Sequence, residues 1–412
     1  MISSDTFVVM PSATLDNQMI FAKNSGRPAG EVQEIVFFGR RKFDSETKQK
    51  CTHIEIDSVP QTFSIILSKP SWMWGAEMGS NENNVCIGNE LIKPNSMIEI
   101  DNTDQKLTGN DLVRLGLERS KTASEAVDVI GQLLKTYGQG LSDTNDDRTQ
   151  FLYQNSFLIA DPNEAWIMET IDKEFVAKRI NSECFYGNIS NCYSIGTDID
   201  RMSKDIKTYA IEKNLWNGNG EFNFANIFGD SEREDRSRLE AGKILLNNLT
   251  KNNSFDIKSM LSVLRDYESG ICRGCSDPIP TASSQISILA ADDSKQIPSV
   301  HWFTGTPDPQ YSYFKPFIFH RTVSVASAKT IVPKNSDGQS LDDGKHQLFK
   351  RHEEFYDRLR SDHELHQTLR QIENLCIDEL RQMFNTNDSN DEINEIDNLF
   401  SDSVESELRF YR

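Results

Sequence analysis

A β-strand that opens almost at the first residue constrains this chain more than any other feature. Ser4-Asp5-Thr6-Phe7-Val8-Val9-Met10 reads as that strand. A second strand, Met19-Ile20-Phe21-Ala22-Lys23, follows and runs into the polar turn Asn24-Ser25-Gly26-Arg27-Pro28. Chain ends fray unless something ties them down. Here a short hydroxyl residue sits at the mouth of an apolar hairpin, opposite a turn carrying Lys, Asn and Arg. That layout suits a chain terminus that is itself the catalyst, with a nucleophile whose own freed α-amine acts as base.

At 412 residues, the length allows two or three domains. A net charge of −19 argues against nucleic-acid binding, which needs Lys and Arg to displace counterions from phosphates. It argues equally against docking on anionic lipid. No apolar run approaches the ~20 residues of a membrane span, and no basic-then-apolar leader is seen. Seven cysteines at irregular spacing read as reduced thiols, so the expected location is the cytoplasm.

Along the chain, residues 1–100 read as β-rich. Thr52–Ile56 alternates like a half-buried strand, and Thr62–Leu67 is more continuously apolar. Two amphipathic helices are expected over Asp111–Glu118 and Thr122–Tyr137. In the second, Ala126, Val127, Ile130, Leu133 and Leu134 recur at helical spacing. Thr122 with Glu125 predicts a capping box, and Gly138 a stop. Phe157–Ala160, a polar turn, then Ala165–Met168 predicts a hairpin. Thr281–Leu289 and Val300–Phe303 read as closing strands. Strands, then helices, then strands predict sheets covered by helices rather than βαβ units. From about Lys334 the composition shifts. A linker over 335–340 leads into a long, highly charged helical stretch over Lys345–Phe384 with an apolar stripe at Leu348, Phe355, Leu359, Leu365, Leu369, Ile372 and Leu375, then an acidic run over Asn385–Glu395.

Several blocks carry a resemblance to a known family. They are the opening "SDTFVVMPSAT…IFAKNSGRPAGEVQEI", Ser71–Gly79, Asn84–Glu90, Asp111–Arg119, Asn155–Asp161, Asn188–Asn191 and Phe303–Pro309. Together they are similar to the secernins, within a family of N-terminal-nucleophile cysteine dipeptidases that usually open with Cys-Asp-Thr-Phe and carry Lys-Asn-Ser-Asp-Arg-Pro. The resemblance implies an α+β chain with a four-layer αββα N-terminal-nucleophile hydrolase fold over residues 1–333. Residues 334–412 would form an acidic helical extension that packs on the fold or serves a protein partner. The extension is expected to be dispensable for hydrolysis and needed for association.

The resemblance also implies a site. Ser4 stands where the family has its Cys, so Met1-Ile2-Ser3 is the expected propeptide; Ser3 is an alternative nucleophile outside the family register. Lys23 would help position the nucleophile. Gly26 replaces an Asp that would orient the terminal amine, and Asp5, on the opposite face of the strand, does not substitute for it. Asn191, and less directly Asn89, would donate to a developing oxyanion. Arg27 would pair with a substrate carboxylate or brace its loop. The implied reaction is hydrolysis of a small peptide or amide, with no cofactor and no metal. The alternative is a homologue without turnover that acts through its surfaces, since secernins are associated with regulated exocytosis.

Competing signals are weaker. Cys272-Arg-Gly-Cys275 has redox or metal spacing but no second pair. His363-Glu-Leu-His366 is one residue short of a zinc-protease spacing and reads as a solvated helix face. Trp72 and Trp74 read as packing or cleft-lining residues.

Overall fold

The computed structural model describes residues 3–44, 46–98, 105–140, 153–181, 183–230, 234–291, 298–320, 327–336, 338–341, 343–385 and 398–412. Met1 and Ile2 of the expected propeptide lie outside these residues, as does nearly all of the acidic run 385–395.

Two antiparallel sheets face each other. The first runs β14 (Tyr186–Ile189), β1 (Asp5–Val9), β2 (Met19–Gly26), β16 (Thr281–Leu289), β17 (Val300–Phe303), β18 (Lys315–Phe317). The second runs β15 (Arg201–Met202), β13 (Glu174–Ile180), β12 (Ala165–Ile171), β11 (Gln154–Ala160), β10 (Cys86–Ile92), β9 (Met78–Asn81), β8 (Ile65–Pro70), β3 (Gln33–Phe38). Two short ribbons pair β4 (Arg41–Lys42) with β7 (Gln61–Thr62) and β5 (Lys48–Lys50) with β6 (Glu55–Asp57).

Side-chain alternation explains the layering. On β1, Phe7 and Val9 enter one core with Ile20 and Ala22 of β2. Helices α5 (Ser237–Leu249) and α6 (Ile257–Leu264) cover that face through Leu246, Met260 and Leu261. Val8 points the other way and packs between the sheets with Phe21, Cys86 and Leu158. On the outer face of the second sheet, Ile87, Phe157 and Ile159 meet α1 (Gly109–Arg119) and α2 (Ala123–Tyr137). The result is an αββα stack. Helices α3 (Ile206–Glu212) and α4 (Phe224–Phe228) build a side cluster around Tyr193 and Phe224.

All five residues expected on the inner face of α2 are buried. Thr122 caps it by accepting from the Glu125 amide at 3.1 Å, and Gly138 ends it with φ +68°. The capping box is only half formed there, because the Glu125 carboxylate takes the Lys121 amide at 2.7 Å. The reciprocal box stands one helix earlier, between Thr108 and Asp111. Within the segment Thr52–Ile56, only Glu55 and Ile56 lie in a strand, an exposed ribbon in which Ile56 alone is buried.

The long charged stretch forms two helices, α7 (Gln347–Ser361) and α8 (His363–Asn385). Asp362 divides them, its Oδ1 accepting from the Glu364 and Leu365 amides at 3.1 Å each. With α9 (Leu399–Phe410) they cover the β18 and β3 edges. Leu359, Leu369, Phe400, Val404 and Leu408 share one core with Ile35, Ile66, Phe303 and Phe317. Beneath them Lys315 and Glu407 form an ion pair with neither side chain exposed, and Glu407 also accepts from Tyr411 Oη at 2.7 Å.

Candidate active site

Strand register delivers the site. Thr6 pairs with Ile189 on one side and Lys23 on the other. Continuing these ladders past Asp5 brings Ser4 to Asn191 and to the end of β2. The Ser4 N–H donates to Asn191 Oδ1 at 2.9 Å, and the Gly26 N–H donates to Ser4 Oγ at 2.9 Å. Ser4 is only 4% exposed, and so is Ser3.

Asn191 is held at both ends. Its Nδ2 donates to the Leu91 carbonyl at 2.8 Å, and its Oδ1 also accepts from Arg238 Nη2 at 2.6 Å. Arg238, on α5, reaches Ser190 Oγ at 3.2 Å and pairs through Nε with Asp5 Oδ2 at 3.0 Å. A chain of contacts thus runs Asp5–Arg238–Asn191–Ser4, crossing from the outer face of β1 to the nucleophile's amide. Burial pushes the Asp5 carboxyl above its ordinary value; the attraction of Arg238 only partly offsets this.

Lys23 is fully buried between the sheets, opposite Thr6 in the β1–β2 ladder. Its Nζ donates to the Asn89 carbonyl at 2.7 Å and to Glu90 Oε1 at 3.1 Å, and the same Glu90 oxygen accepts from Thr6 Oγ1. Gly88 makes room for this lysine: a Cβ there would stand 2.7 Å from Lys23 Cδ. Burial drives the Glu90 carboxyl up to about 8, against the pull of Lys23.

Asn89 occupies the other face of β10. Its Nδ2 donates to Asn155 Oδ1 at 3.0 Å and to Asn110 Oδ1 at 3.3 Å, on the α1 side, so what it offers toward Lys23 is its carbonyl. Arg27 grips Glu31 with a fork, Nε at 2.6 Å and Nη2 at 3.1 Å, and reaches Glu77 with Nη1 at 3.2 Å. This geometry braces the 26–31 loop with the guanidinium already set on two carboxylates. Glu77 also accepts from Ser25 at 2.6 Å and Asn110 at 2.7 Å. Burial raises its carboxyl, but Arg27, Lys23 and those hydrogen bonds outweigh it and leave it below the ordinary carboxylate value.

Sequence reasoning missed Arg238, Glu77 and Glu90. Glu77 and Glu90 lie inside the blocks Ser71–Gly79 and Asn84–Glu90, so their positions carried a signal. Arg238 sits in a charged, patternless stretch and had none.

The remaining motifs separate from this site. Cys272 lies 3.7 Å from Asp308 Oδ1, and burial with that carboxylate pushes its thiol far up and the Cys275 thiol up to about 12. Both are therefore protonated, poor nucleophiles and poor metal ligands as they stand. His366 bonds the Gln310 carbonyl at 2.9 Å, and His363 bonds Gln367 on its own helix. Trp72 donates to Glu31 at 3.2 Å, and Trp74 lies under the Arg114 guanidinium. Among the described residues no group of His, Cys, Asp or Glu is placed to hold a metal, and no helix is long and apolar enough to cross a membrane.

Comparison with known proteins gives a family match to peptidase family C69 over residues 5–252. The matched span opens one residue after Ser4, so Ser4 itself is placed by strand register. A curated relative, probable dipeptidase B of Lactococcus lactis subsp. lactis (strain IL1403), is 29% identical over 253 residues, covering 57% of this chain and 50% of that protein. The chain thus spans about half the length of that relative. Among solved structures, penicillin V acylase from Agrobacterium tumefaciens aligns over 77% of this chain and 86% of its own, at 14% identity and a TM-score of 0.45. A mutant form of conjugated bile acid hydrolase from Clostridium perfringens aligns over 82% of this chain and 99% of its own, at 11% identity and a TM-score of 0.48.

Proposed function

Because this chain belongs to peptidase family C69, we propose that it is an N-terminal-nucleophile hydrolase of small peptides or amides, with Ser4 as nucleophile. The observation that carries the reading is the pair of 2.9 Å contacts holding Ser4, its N–H on Asn191 and its Oγ on the Gly26 amide. The finer placement, a secernin-type dipeptidase, rests on the sequence blocks quoted above.

In this reading the Ser3–Ser4 bond is cut first. Ser4 Oγ adds to the Ser3 carbonyl, the C–N bond breaks, and the ester so formed is hydrolysed by water. This releases the Ser3 carboxylate and frees the Ser4 amine. A free α-amine titrates near ~7.7–8.0, which suits a base at neutral pH. It takes the Ser4 hydroxyl proton as Oγ attacks the substrate carbonyl and returns it to the leaving amine, and water then cleaves the acyl–Ser4 ester, releasing the acid and restoring the hydroxyl. Asn191 Oδ1, itself fixed by Arg238, holds that amine in place. One N–H of Asn191 Nδ2 is on Leu91, which leaves the other for the oxyanion; such a donor is worth ~2.7–4 kcal/mol. Lys23 acts one step back, fixing the Asn89–Glu90 backbone that runs beneath the site.

A second reading keeps the fold without turnover, as a protein acting through its surfaces in regulated exocytosis. The burial of Ser3 and Ser4, each 4% exposed, favours it. Release of amino acids from a dipeptide panel decides between them, run with wild type, Ser4→Ala and Ser4→Cys alongside intact mass. Activity abolished by Ser4→Ala in a chain beginning at Ser4 supports the enzyme. Silence of wild type and Ser4→Cys on trimmed, folded protein rejects it.

A further inference from the structure

Gly26 touches both sides of the Ser3–Ser4 bond. Its amide donates to Ser4 Oγ, and the space where its side chain would stand is filled by Ser3. A Cβ built at residue 26 lies 1.6 Å from the Ser3 carbonyl oxygen, 2.6 Å from the Ser3 carbonyl carbon and 3.1 Å from the Ser3 Cβ. Non-bonded heavy atoms settle about 3.5–4.0 Å apart, so no small adjustment absorbs this overlap. Both colliding groups belong to backbone, so no rotamer relieves it. Gly26 closes strand β2, paired with Thr281 of β16 beside a register shift, while the pairing of β2 with β1 reaches as far as Asn24. Ser3 is 4% exposed and rests inside the site instead of extending from it.

We propose that Gly26 is the residue that lets Ser3 remain seated beside Ser4, so that the folded, untrimmed chain blocks its own nucleophile. A side chain at position 26 and Ser3 in its present place exclude each other. The inference goes beyond the hydrolase reading, because it concerns occupancy of the site and holds whether or not Ser4 turns anything over.

The test uses the full chain carrying Ser4→Ala, which lacks the hydroxyl that would cut the Ser3–Ser4 bond, alone and combined with Gly26→Ala, which adds one carbon, or Gly26→Asp. An aminopeptidase is added, and intact mass is followed over time. With Gly26 in place, trimming is expected to stop short of the buried Ser3. With either substitution at 26, Ser3 is displaced and trimming proceeds through it, faster by on the order of tenfold or more. Equal resistance with and without Gly26 overturns the proposal. Should a full-length variant fail to fold, the same substitution is made in a chain beginning at Ser4. Folding there with the thermal midpoint of its Gly26 parent supports the proposal, and failure there as well overturns it. No arm reads peptide hydrolysis, so an inactive protein leaves the proposal standing, and a resistant variant of an active one refutes it alone.

Discussion

Replacing Arg238 with Met tests the chain of contacts that leads to the nucleophile. The pair it breaks is buried on both sides, with Arg238 4% and Asp5 2% exposed at the side chain. Removing one member of such a pair leaves an uncompensated buried charge and costs about 3–5 kcal/mol. The cost has a predictable pH dependence. Asp5 already titrates above its ordinary 3.8 because burial outweighs the pull of Arg238. Without Arg238 its folded-state value rises further. A raised carboxyl value means the folded state holds a proton that the unfolded state releases, so stability falls as pH rises above the unfolded value. The loss caused by Arg238→Met should therefore be full near neutral pH and shrink as pH falls toward 3.8. Urea unfolding of wild type and Arg238→Met at neutral pH and at about pH 4 reads the difference. Asp5→Asn in the same background should recover part of the loss at neutral pH, since residues in one network are not additive. A deficit equal at both pH values, and untouched by Asp5→Asn, would mean that Arg238 acts by packing alone.

Glu90 makes a second pH prediction: its folded-state value of about 8 against 4.5 means wild-type stability falls as pH rises through that window. Glu90→Gln should flatten that slope, and parallel urea curves for the two proteins at each pH would count against it. Glu407→Leu leaves the fully buried Lys315 ammonium with the Tyr313 carbonyl as its remaining hydrogen-bond acceptor among the described residues, at a cost of about 3–5 kcal/mol by chemical denaturation. Truncation after Val332 uncovers Phe303, Phe317 and Lys315, so the shortened chain should fail to give a cooperative thermal transition; a native-like transition would support the sequence-based view of a dispensable tail. Ser4→Cys should keep the wild-type midpoint within about 1 kcal/mol, because it exchanges one buried atom, and a larger loss would show that the Gly26 amide depends on the hydroxyl.

Much of the architecture was legible because it is written in local periodicity. The alternation of Thr6 and Val8 against Phe7 and Val9, the buried stripe of α2 and its Thr122 and Gly138 ends need only near neighbours in sequence. The break at Asp362 was legible in principle, as a side chain that caps the following turn, yet the charged helical pattern ran through it unbroken. The tail shows a different limit. Its apolar stripe announced a buried face but not its partner, and only the fold places that stripe on Ile35, Ile66 and Phe317.

The site divides in the same way. Ser4, Lys23, Arg27 and Asn191 stood out as sequence, since each lies in a short block of distinctive composition. What they touch was decided by register and alternation across separate strands. One step along β10 sends Glu90 to Lys23 and Asn89 to Asn155. Arg238 joins Asp5 across 233 positions, a contact that no local pattern encodes. Gly26 read as ordinary turn chemistry, and only packing gives the Ser3 carbonyl the place its side chain would fill. Periodicity is a property of neighbours in the chain and survives in one dimension. Exclusion, pairing and burial are properties of neighbours in space, and they exist only once the sheets have met.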